Sequence, residues 1–423
     1  MDLNQELRAA RHAFAAGKWT VGELTCRGIL AVHPDCAAAL ELLGSIAAEA
    51  GEVELAAGFF AQAEARRPVP ALSNLFFGGK MIRRKWLLHK AIKRRVDAGS
   101  ANRYLLIKSW GCGFWSDVSQ VLGGLLLAEI TGRTPVVHWG KNSRFSDKSG
   151  RDAFRNYFVP VSDVSVSELS RLDDANFFPK KWTRDNLRKE NFAKWEGAGS
   201  RLGAVEFLNR PETIAVLDFY INVFNTAPWL PSIHSMHGRP LQEIYSYLAA
   251  KYLRPQPRVR SRCDTFYGAY LAGTPFVAVH LRGSDKTSED KHLAASNRKI
   301  RDAVASVPAD WKVFLLTDDE RLLSEMRELH GNRLITTDCQ RSSSETGAHY
   351  LSSTDPVEAG FEMMTDSYLA LRANKFIGNG RSNVAAMISV LRDWAPGDCM
   401  LLGDIQIARP NLAVYRARKS SIR

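Results

Sequence analysis

The chain has 423 residues, of which 45% are hydrophobic and 10% aromatic, so it is long enough for two or three packed domains and too apolar for a disordered protein. Its formal net charge of +12 predicts an anionic partner, and a membrane surface or the phosphates of a nucleotide sugar fit that charge. The sequence contains no zinc-finger, RRM or KH signature, so nucleic acid is not an expected partner.

The cysteines and the apolar runs bear on the cellular compartment. The six cysteines lie far apart, and none belongs to a C-x-x-C pair with metal-ligand or redox spacing. No signal pattern opens the chain, and no apolar run reaches the roughly 18 residues that a membrane span requires. We therefore expect a cytoplasmic protein with reduced thiols.

Residues 1–67 carry an internal repeat. Gly17 and Gly51 are 34 positions apart, as are Pro34 and Pro68. A 34-residue period with helical apolar spacing resembles the tetratricopeptide family, which has two helices in each unit. We predict a small all-α domain over residues 1–67. It either binds a protein partner, mediates self-association or acts as a structural cap, and the repeat alone favours none of these.

A basic segment follows the repeats. Residues 80–95, KMIRRKWLLHKAIKRR, contain eight Lys or Arg residues separated by apolar ones. This pattern predicts a linker helix within residues 68–103. The helix either makes a peripheral contact with an anionic membrane or exposes a solvated basic face.

The main body begins near Tyr104 with a strand, a glycine turn, an apolar helix and a second strand. This order predicts one βαβ unit in an N-terminal lobe over residues 104–260. The turn GCGF is not the dinucleotide fingerprint, because the third glycine is missing. Gly111 and Gly113 either let the backbone approach a phosphate or a sugar closely or serve the turn alone.

The C-terminal lobe, residues 261–423, contains three apolar strands that each end in a polar cluster. The strands and their clusters are FVAVHL before Arg282, VFLLT before Asp318 and Asp319, and KFIG before residues 379–383. Alternation with helices predicts a parallel, doubly wound sheet, in which ligands bind beyond the carboxyl ends of the strands. We therefore expect the three clusters to line one crevice.

The polar residues of these clusters can serve the structure as well as bind a ligand. Thr317 and Glu320 are three residues apart, which matches the capping-box pattern and predicts Thr317 as a helix N-cap. Ser382 or Asn383 either caps the last helix or seats a phosphate. Asp366 lies in an apolar helical stretch, where a carboxylate needs a partner.

The charged group after the first of these strands is harder to explain structurally. Arg282, Asp285 and Lys286 follow one another closely. A surface salt bridge is worth at most about 1 kcal/mol, whereas Arg and Lys at a ligand-binding edge suit a diphosphate. These residues are therefore candidates for catalysis.

The motifs occur in an order that resembles a known superfamily. HLRGSDKTSED, LLTDDERLL and DSYLALRANKFIGNGRSNVAA, preceded by GCGF and GRTPVV, are similar to motifs of the α1,6-fucosyltransferases, the nodulation fucosyltransferases and the protein O-fucosyltransferases. The resemblance covers residues 104–403. It implies an α/β fold with a GT-B-like pair of Rossmann-type lobes, preceded here by the small all-α tetratricopeptide-like domain.

The resemblance implies roles for the residues that bind the donor. His280 and Asp366 would contact guanine, and Arg282 would be the main pyrophosphate ligand. Lys286 would stabilise the leaving diphosphate, with Asp285 in the same catalytic segment.

The remaining donor-site residues come from the other two clusters. Ser382 and Asn383 would cradle phosphate. Asp318 and Asp319 would orient these groups or the donor itself.

The sequence departs from the family pattern at two places. Gly283 stands where the family has a second arginine, which removes one positive charge from the donor site. Four residues after the lysine, Asp290 replaces the glutamate proposed as the base, and Glu289 lies beside it. Either carboxylate is a candidate base.

The residue types fit an inverting transfer without a metal, since Arg and Lys can neutralise the leaving diphosphate and a carboxylate can accept the hydroxyl proton. No D-x-D motif ends a strand, so no metal and no cofactor beyond the GDP-fucose donor are expected. The expected acceptor is a bacterial surface or lipid-linked glycan. A peptide acceptor, another nucleotide sugar and a catalytically dead, repeat-containing scaffold are the alternatives.

Overall fold

The computed structural model describes residues 2–50, 53–66, 102–189, 207, 210–218, 220–227, 230, 234–283, 293–344 and 355–403. The predicted basic helix over residues 80–95 lies outside the described residues. So do four of the predicted catalytic residues, Asp285, Lys286, Glu289 and Asp290.

Four helices form the N-terminal region: α1 (Leu3–Ala15), α2 (Trp19–Val32), α3 (Ala37–Ala50) and α4 (Val53–Ala65). The starts of α1 and α3 are 34 residues apart, and so are those of α2 and α4, as the repeat predicts. Each pair packs together, and α2 packs on α3. At the turn between α1 and α2, Gly17 has a φ of +72°, which favours glycine. The prediction of an all-α region is confirmed, while its assignment to the tetratricopeptide family stays a prediction.

The first sheet is parallel, with strand order β2-β1-β4-β3. Its elements are β1 (Tyr104–Lys108), α5 (Phe114–Thr131), β2 (Thr134–His138), α6 (Phe154–Tyr157), α7 (Val166–Leu169), β3 (Phe177–Phe178), β4 (Ile214–Leu217) and α8 (Val223–Thr226). The segment β1-α5-β2 is the predicted βαβ unit, and this prediction is confirmed.

Helix α5 is buried along most of its length between β1 and the rest of the molecule. It ends at Gly132, whose φ of +59° gives the left-handed conformation common after helices. A Cβ on Gly124 would lie 2.8 Å from Ile107 Cδ1, so only glycine allows the helix to come this close to β1.

The second sheet is also parallel, with strand order β7-β6-β5-β8-β9. Helices α9 (Leu241–Tyr252) and α10 (Pro257–Phe266), followed by a π-helical turn at Tyr267–Leu271, precede it. Its elements are β5 (Phe276–Leu281), α11 (Leu293–Ala305), β6 (Lys312–Thr317), α12 (Glu320–His330), β7 (Leu334–Ile335), α13 (Pro356–Ala370), β8 (Lys375–Asn379), α14 (Asn383–Leu391) and β9 (Cys399–Leu402). This arrangement confirms the predicted α/β class with two Rossmann-type sheets.

Hydrogen bonds join the two sheet regions, and two of them involve α13. Trp115 Nε1, on α5, donates to Ser367 Oγ at 2.8 Å. The Tyr157 hydroxyl donates to the backbone oxygen of Val357 at 3.1 Å. The predicted lobe boundary between residues 260 and 261 falls inside α10. None of the helices in the described ranges is both long and apolar enough to cross a membrane.

Candidate functional site

The three polar clusters predicted to line one crevice follow three adjacent strands. Strand β5 is the centre of the second sheet, with β6 on one side and β8 on the other. All six β5 residues are buried, as expected for a strand covered by helices on both faces. His280 is in register with Leu316 of β6 and Gly378 of β8, so the three carboxyl ends meet at one edge. The predicted convergence of these strands is confirmed.

Arg282 and Asp318 form an ion pair at this edge. Arg282 Nη1 donates to Asp318 Oδ2, and Asp318 Oδ1 accepts the backbone N–H of Gly283 at 3.1 Å. The Arg282 backbone oxygen accepts a hydrogen bond from Asn297 Nδ2 at 2.7 Å. The two charged side chains keep 16% and 14% of their surfaces exposed, so the pair is oriented by the protein and open to a ligand.

Asp319 begins helix α12, and here the sequence prediction was wrong. Thr317 was predicted to cap this helix, but it is the last residue of β6. Asp319 is the N-cap, and its Oδ1 accepts the Arg321 N–H at 2.8 Å. Arg321 Nη2 also donates to Asp319 Oδ2 at 2.8 Å. The helix therefore begins two residues later than the capping-box pattern indicates, because Thr317 still belongs to the strand and pairs with Leu281 across the sheet.

The position of Asp319 explains the glycine that replaces the second arginine of the family. A Cβ on Gly283 would lie 2.5 Å from both Cβ and Oδ2 of Asp319. Asp319 is itself 2% exposed and fixed by its capping bonds, so it has little freedom to move away. The space beside residue 283 is therefore occupied by a carboxylate in this chain.

His280 is a buried imidazole directly before this ion pair. Burial and, to a smaller extent, the charge of Arg282 lower its pKa to about 4, against the opposing charge of Asp318, so the ring is neutral at physiological pH. Its Nδ1 has no hydrogen-bond partner among the residues that the structure describes. A neutral imidazole with an unused nitrogen is suited to hydrogen bonding with a polar ligand.

Asp366, on helix α13, has the partner that its buried position requires. Thr337 Oγ1 donates to Asp366 Oδ1 at 2.6 Å. Burial raises the pKa of the Asp366 carboxyl to about 6, although the Thr337 hydrogen bond and the charge of Arg341 both lower it. Thr337 follows β7 and was not singled out from the sequence, because nothing in its local pattern indicates that it contacts α13.

Ser382 is the N-cap of helix α14, which confirms one of the two structural alternatives. Its hydroxyl accepts the Val384 N–H at 3.3 Å, and Asn383 is the first helical residue. The hydroxyl proton of Ser382 is not used by this bond, and a helix N-terminus favours negative charge. The arrangement suits a phosphate group.

The glycine turn after β1 is held by a carboxylate that sequence reasoning missed. The N–H groups of Gly111 and Cys112 donate to Asp117 at 3.2 and 3.0 Å. Arg144 Nε donates to the Gly111 backbone oxygen at 2.8 Å. Burial raises the pKa of Asp117 to about 6. Two amides of the turn are thus occupied within the chain, and a donor contact at Gly111 or Gly113 stays a prediction.

The predicted contacts of the donor with His280, Arg282, Asp366 and Ser382 also stay predictions, although the fold brings these residues to one edge. Within the described ranges, no group of three His, Cys, Asp or Glu residues is arranged to hold a metal ion.

No protein-family model and no curated protein matches the sequence. Among solved structures, the chain is similar to the NodZ α-1,6-fucosyltransferase soaked with GDP-fucose, with 19% identity over 69% of this chain and 93% of that chain and a TM-score of 0.45. It is also similar to the fucosyltransferase NodZ from Bradyrhizobium, with 19% identity, coverage of 69% and 94%, and a TM-score of 0.45. A third structure, POFUT1 in complex with GDP, gives 18% identity, coverage of 72% and 100%, and a TM-score of 0.44.

Proposed function

We propose that the protein is an inverting, metal-independent glycosyltransferase that moves fucose from GDP-fucose to a hydroxyl of a glycan. The observation that carries this proposal is the oriented Arg282–Asp318 pair at the edge where β5, β6 and β8 end together. A guanidinium held by a carboxylate and left partly exposed is a preorganised ligand for a diphosphate.

The donor is placed by residues on both sides of that pair. His280 and Asp366 contact the guanine base, as the motif resemblance implies, and the buried Nδ1 of His280 has no hydrogen-bond partner among the described residues. Ser382 and the N-terminus of α14 hold phosphate oxygens, with Asn383 beside them. Residue 283 is a glycine in this chain. Of the two positions that directly follow β5, only Arg282 therefore supplies a guanidinium to the donor.

The reaction breaks the bond between the anomeric carbon and the diphosphate oxygen, while the acceptor oxygen forms a bond to that carbon from the opposite face. Arg282 and Lys286 neutralise the departing diphosphate, and Asp290 or Glu289 takes the acceptor proton. Asp285 belongs to the same segment. All of these except Arg282 lie outside the described residues, so their roles follow from the resemblance alone.

Thermal shift with nucleotides tests the donor assignment. GDP should raise the melting temperature and UDP should not, because only guanine matches the predicted hydrogen-bonding groups. Equal stabilisation by both would contradict the choice of GDP. Transfer of labelled fucose to glycans, compared with and without EDTA, tests the activity and its independence of metals.

Separate experiments test the identity of the base. Asp290→Asn and Glu289→Gln should differ, with one losing transfer at unchanged GDP affinity and the other nearly unaffected. If both keep wild-type rates, neither carboxylate is the base.

The acceptor and the location are further parts of the proposal. We infer a bacterial surface or lipid-linked glycan, handled in the cytoplasm, with the segment 80–95 as a peripheral membrane contact. A peptide acceptor or another nucleotide sugar is the second candidate. A scaffold without activity would neither hydrolyse nor transfer from GDP-fucose, and the same labelled-donor assay detects it.

A further inference from the structure

The carboxyl edge of the first sheet holds a buried imidazole that the proposed reaction does not use. His138 is the last residue of β2 and is 2% exposed. Neither of its ring nitrogens has a hydrogen-bond partner within the part of the chain that the structure describes. Leaving one buried polar group unpaired costs about 1–3 kcal/mol, so two unpaired nitrogens on one ring need an explanation.

His138 lies beside a buried lysine. It is the register partner of Lys108, the last residue of β1. Register partners on adjacent parallel strands are about 4.8 Å apart and point to the same face of the sheet. The Lys108 ammonium is held by the Leu187 backbone oxygen at 2.6 Å and lies 4.7 Å from the ring centroid of Trp182.

The charges that act on His138 are positive. Burial, together with the charges of Lys108, Arg188 and Arg155, lowers its pKa to about 3. Arg155 is 3.5 Å from Asp152, and Arg188 donates to the Ser167 hydroxyl. An imidazole N–H among cations is an electrostatic environment that attracts an anion.

On the other side of β1, the charge of the carboxylate that follows β4 is neutralised by a lysine. Asp218 follows β4, which pairs with β1 on the side away from β2. Asp218 Oδ2 accepts the Trp182 indole N–H at 2.9 Å, and Lys181 pairs with the same carboxylate. Among the described residues, the Asp218 carboxylate thus lies on the side of β1 away from His138.

We propose that His138 and Lys108 form a binding site for an oxyanion, a phosphate or a carboxylate, carried by the acceptor. The site is at the carboxyl edge of a parallel sheet, where such folds bind ligands. Lys108 is three residues before Gly111, so the site adjoins the glycine turn on the acceptor side. This inference rests on the proposed glycosyl transfer for the identity of the ligand, and on His138 for the existence of the site.

A binding experiment tests the site without any transfer reaction. The full chain is first saturated with GDP, so that the donor site is closed to phosphate. Inorganic phosphate and acetate are then titrated, and the melting temperature and the imidazole chemical shifts of His138 are followed. We expect saturable stabilisation and a rise of the His138 pKa with at least one of the two anions. No effect of either anion would overturn the site.

Substitutions separate a ligand role from a structural role. His138→Phe removes both unpaired nitrogens, so it should fold at least as stably as the wild type without anion and bind the anion about tenfold or more weakly. Its stabilisation by GDP should be unchanged. His138→Gln, which keeps a donor and an acceptor, should retain part of the anion binding. If His138→Phe lowers stability and leaves anion binding unchanged, the imidazole is structural and the proposal is wrong.

Transfer kinetics with different acceptors test whether the acceptor carries the anion that binds this site. Matched glycans without charge, with a phosphate and with a uronate carboxylate form the three arms. The preferred charged acceptor should have a KM about tenfold lower than the neutral one, and His138→Phe should remove that advantage while leaving kcat unchanged. Equal KM values in all arms would contradict an acidic acceptor. Anion binding without transfer to any acceptor would instead contradict the proposed transferase.

Discussion

The carboxyl edges of the two parallel sheets occupy equivalent positions in their lobes but present their charges differently. At the second sheet, Arg282 and Asp318 are paired and partly exposed. At the first sheet, Lys108 and His138 are each 2% exposed. A partly exposed, paired guanidinium suits a diphosphate that enters and leaves with every turnover, whereas a buried imidazole and ammonium suit a group that must be desolvated to bind. Under the proposed transfer, the second sheet carries the donor edge and the first sheet the acceptor edge.

Removal of the guanidinium at the donor edge should have the largest effect. Arg282→Ala should lower kcat/KM by about a hundredfold or more, the loss typical of one preorganised electrostatic contact. Both KM for GDP-fucose and kcat should change, because the guanidinium binds the diphosphate before and during its departure. Steady-state kinetics measures the effect, and Arg282→Lys is the control that keeps the charge without the bidentate geometry. Unchanged kinetics in the alanine variant would remove Arg282 from the donor site.

A side chain at residue 283 should distort the same edge. Gly283→Ala should destabilise the fold by about 1–3 kcal/mol, as overpacking in a filled site does, because its Cβ would meet Asp319 at 2.5 Å. Chemical denaturation measures the loss. The double variant with Asp319→Gly, which removes both the Cβ and the carboxylate from this contact, should recover part of it, and a loss that is simply additive would show that Asp319 is not the obstacle.

The carboxyl of Asp366 should give GDP binding a pH dependence. With a pKa raised from 3.8 to about 6, Asp366 should accept guanine N–H groups only when ionised, so GDP affinity should rise with pH through about 6. Asp366→Asn should flatten this profile and weaken GDP binding by about tenfold, the value of one charged hydrogen bond. Calorimetric titration between pH 5 and 8 measures both, and a profile that persists in the variant would assign the titration to another group.

The same raised pKa has a consequence for stability. The folded state holds the Asp366 proton more tightly than the unfolded state, so its contribution to the free energy of unfolding is full below about pH 3.8 and is lost as pH rises through about 6. Asp117 and Asp152, whose pKa values burial also raises to about 6, contribute with the same sign and remain in the Asp366→Asn variant.

Two variants, one at the carboxyl edge of each sheet, should have the smallest effects on GDP binding and stability. Ser382→Ala should lose a helix cap worth about 1 kcal/mol and also weaken GDP binding severalfold. Asp117→Asn should disturb the glycine turn but leave GDP affinity within about twofold, because the Gly111 and Cys112 amides already bind within the chain. Thermal shift with and without GDP measures both. Weaker GDP binding in Asp117→Asn would place the glycine turn in the donor site.

The sequence predicted β1, β2, β5, β6 and β8, because apolar runs bounded by glycine and polar residues carry a strong local signal. It did not predict β3, β4, β7 or β9, of which β3 and β7 are only two residues long. Charges that follow a strand, such as Arg282 and Asp318, were found by the same pattern. Lys108 and His138 were missed, since they are strand residues and their burial depends on the segment that carries Trp182 and Leu187. The Thr337–Asp366 bond joins residues 29 positions apart and has no local signature.

The bond between Trp115 and Ser367 affects how the crevice can open. Ser367 follows Asp366 on α13, so a helix of the second lobe is fastened to α5 of the first. Any separation of the lobes must either break this bond or draw α13 away from β5 together with the first lobe. In the second case Asp366, which precedes Ser367 on α13, would move with the first lobe and away from Thr337 after β7. If the proposed transfer is correct, release of spent GDP would then be coupled mechanically to the departure of the modified acceptor.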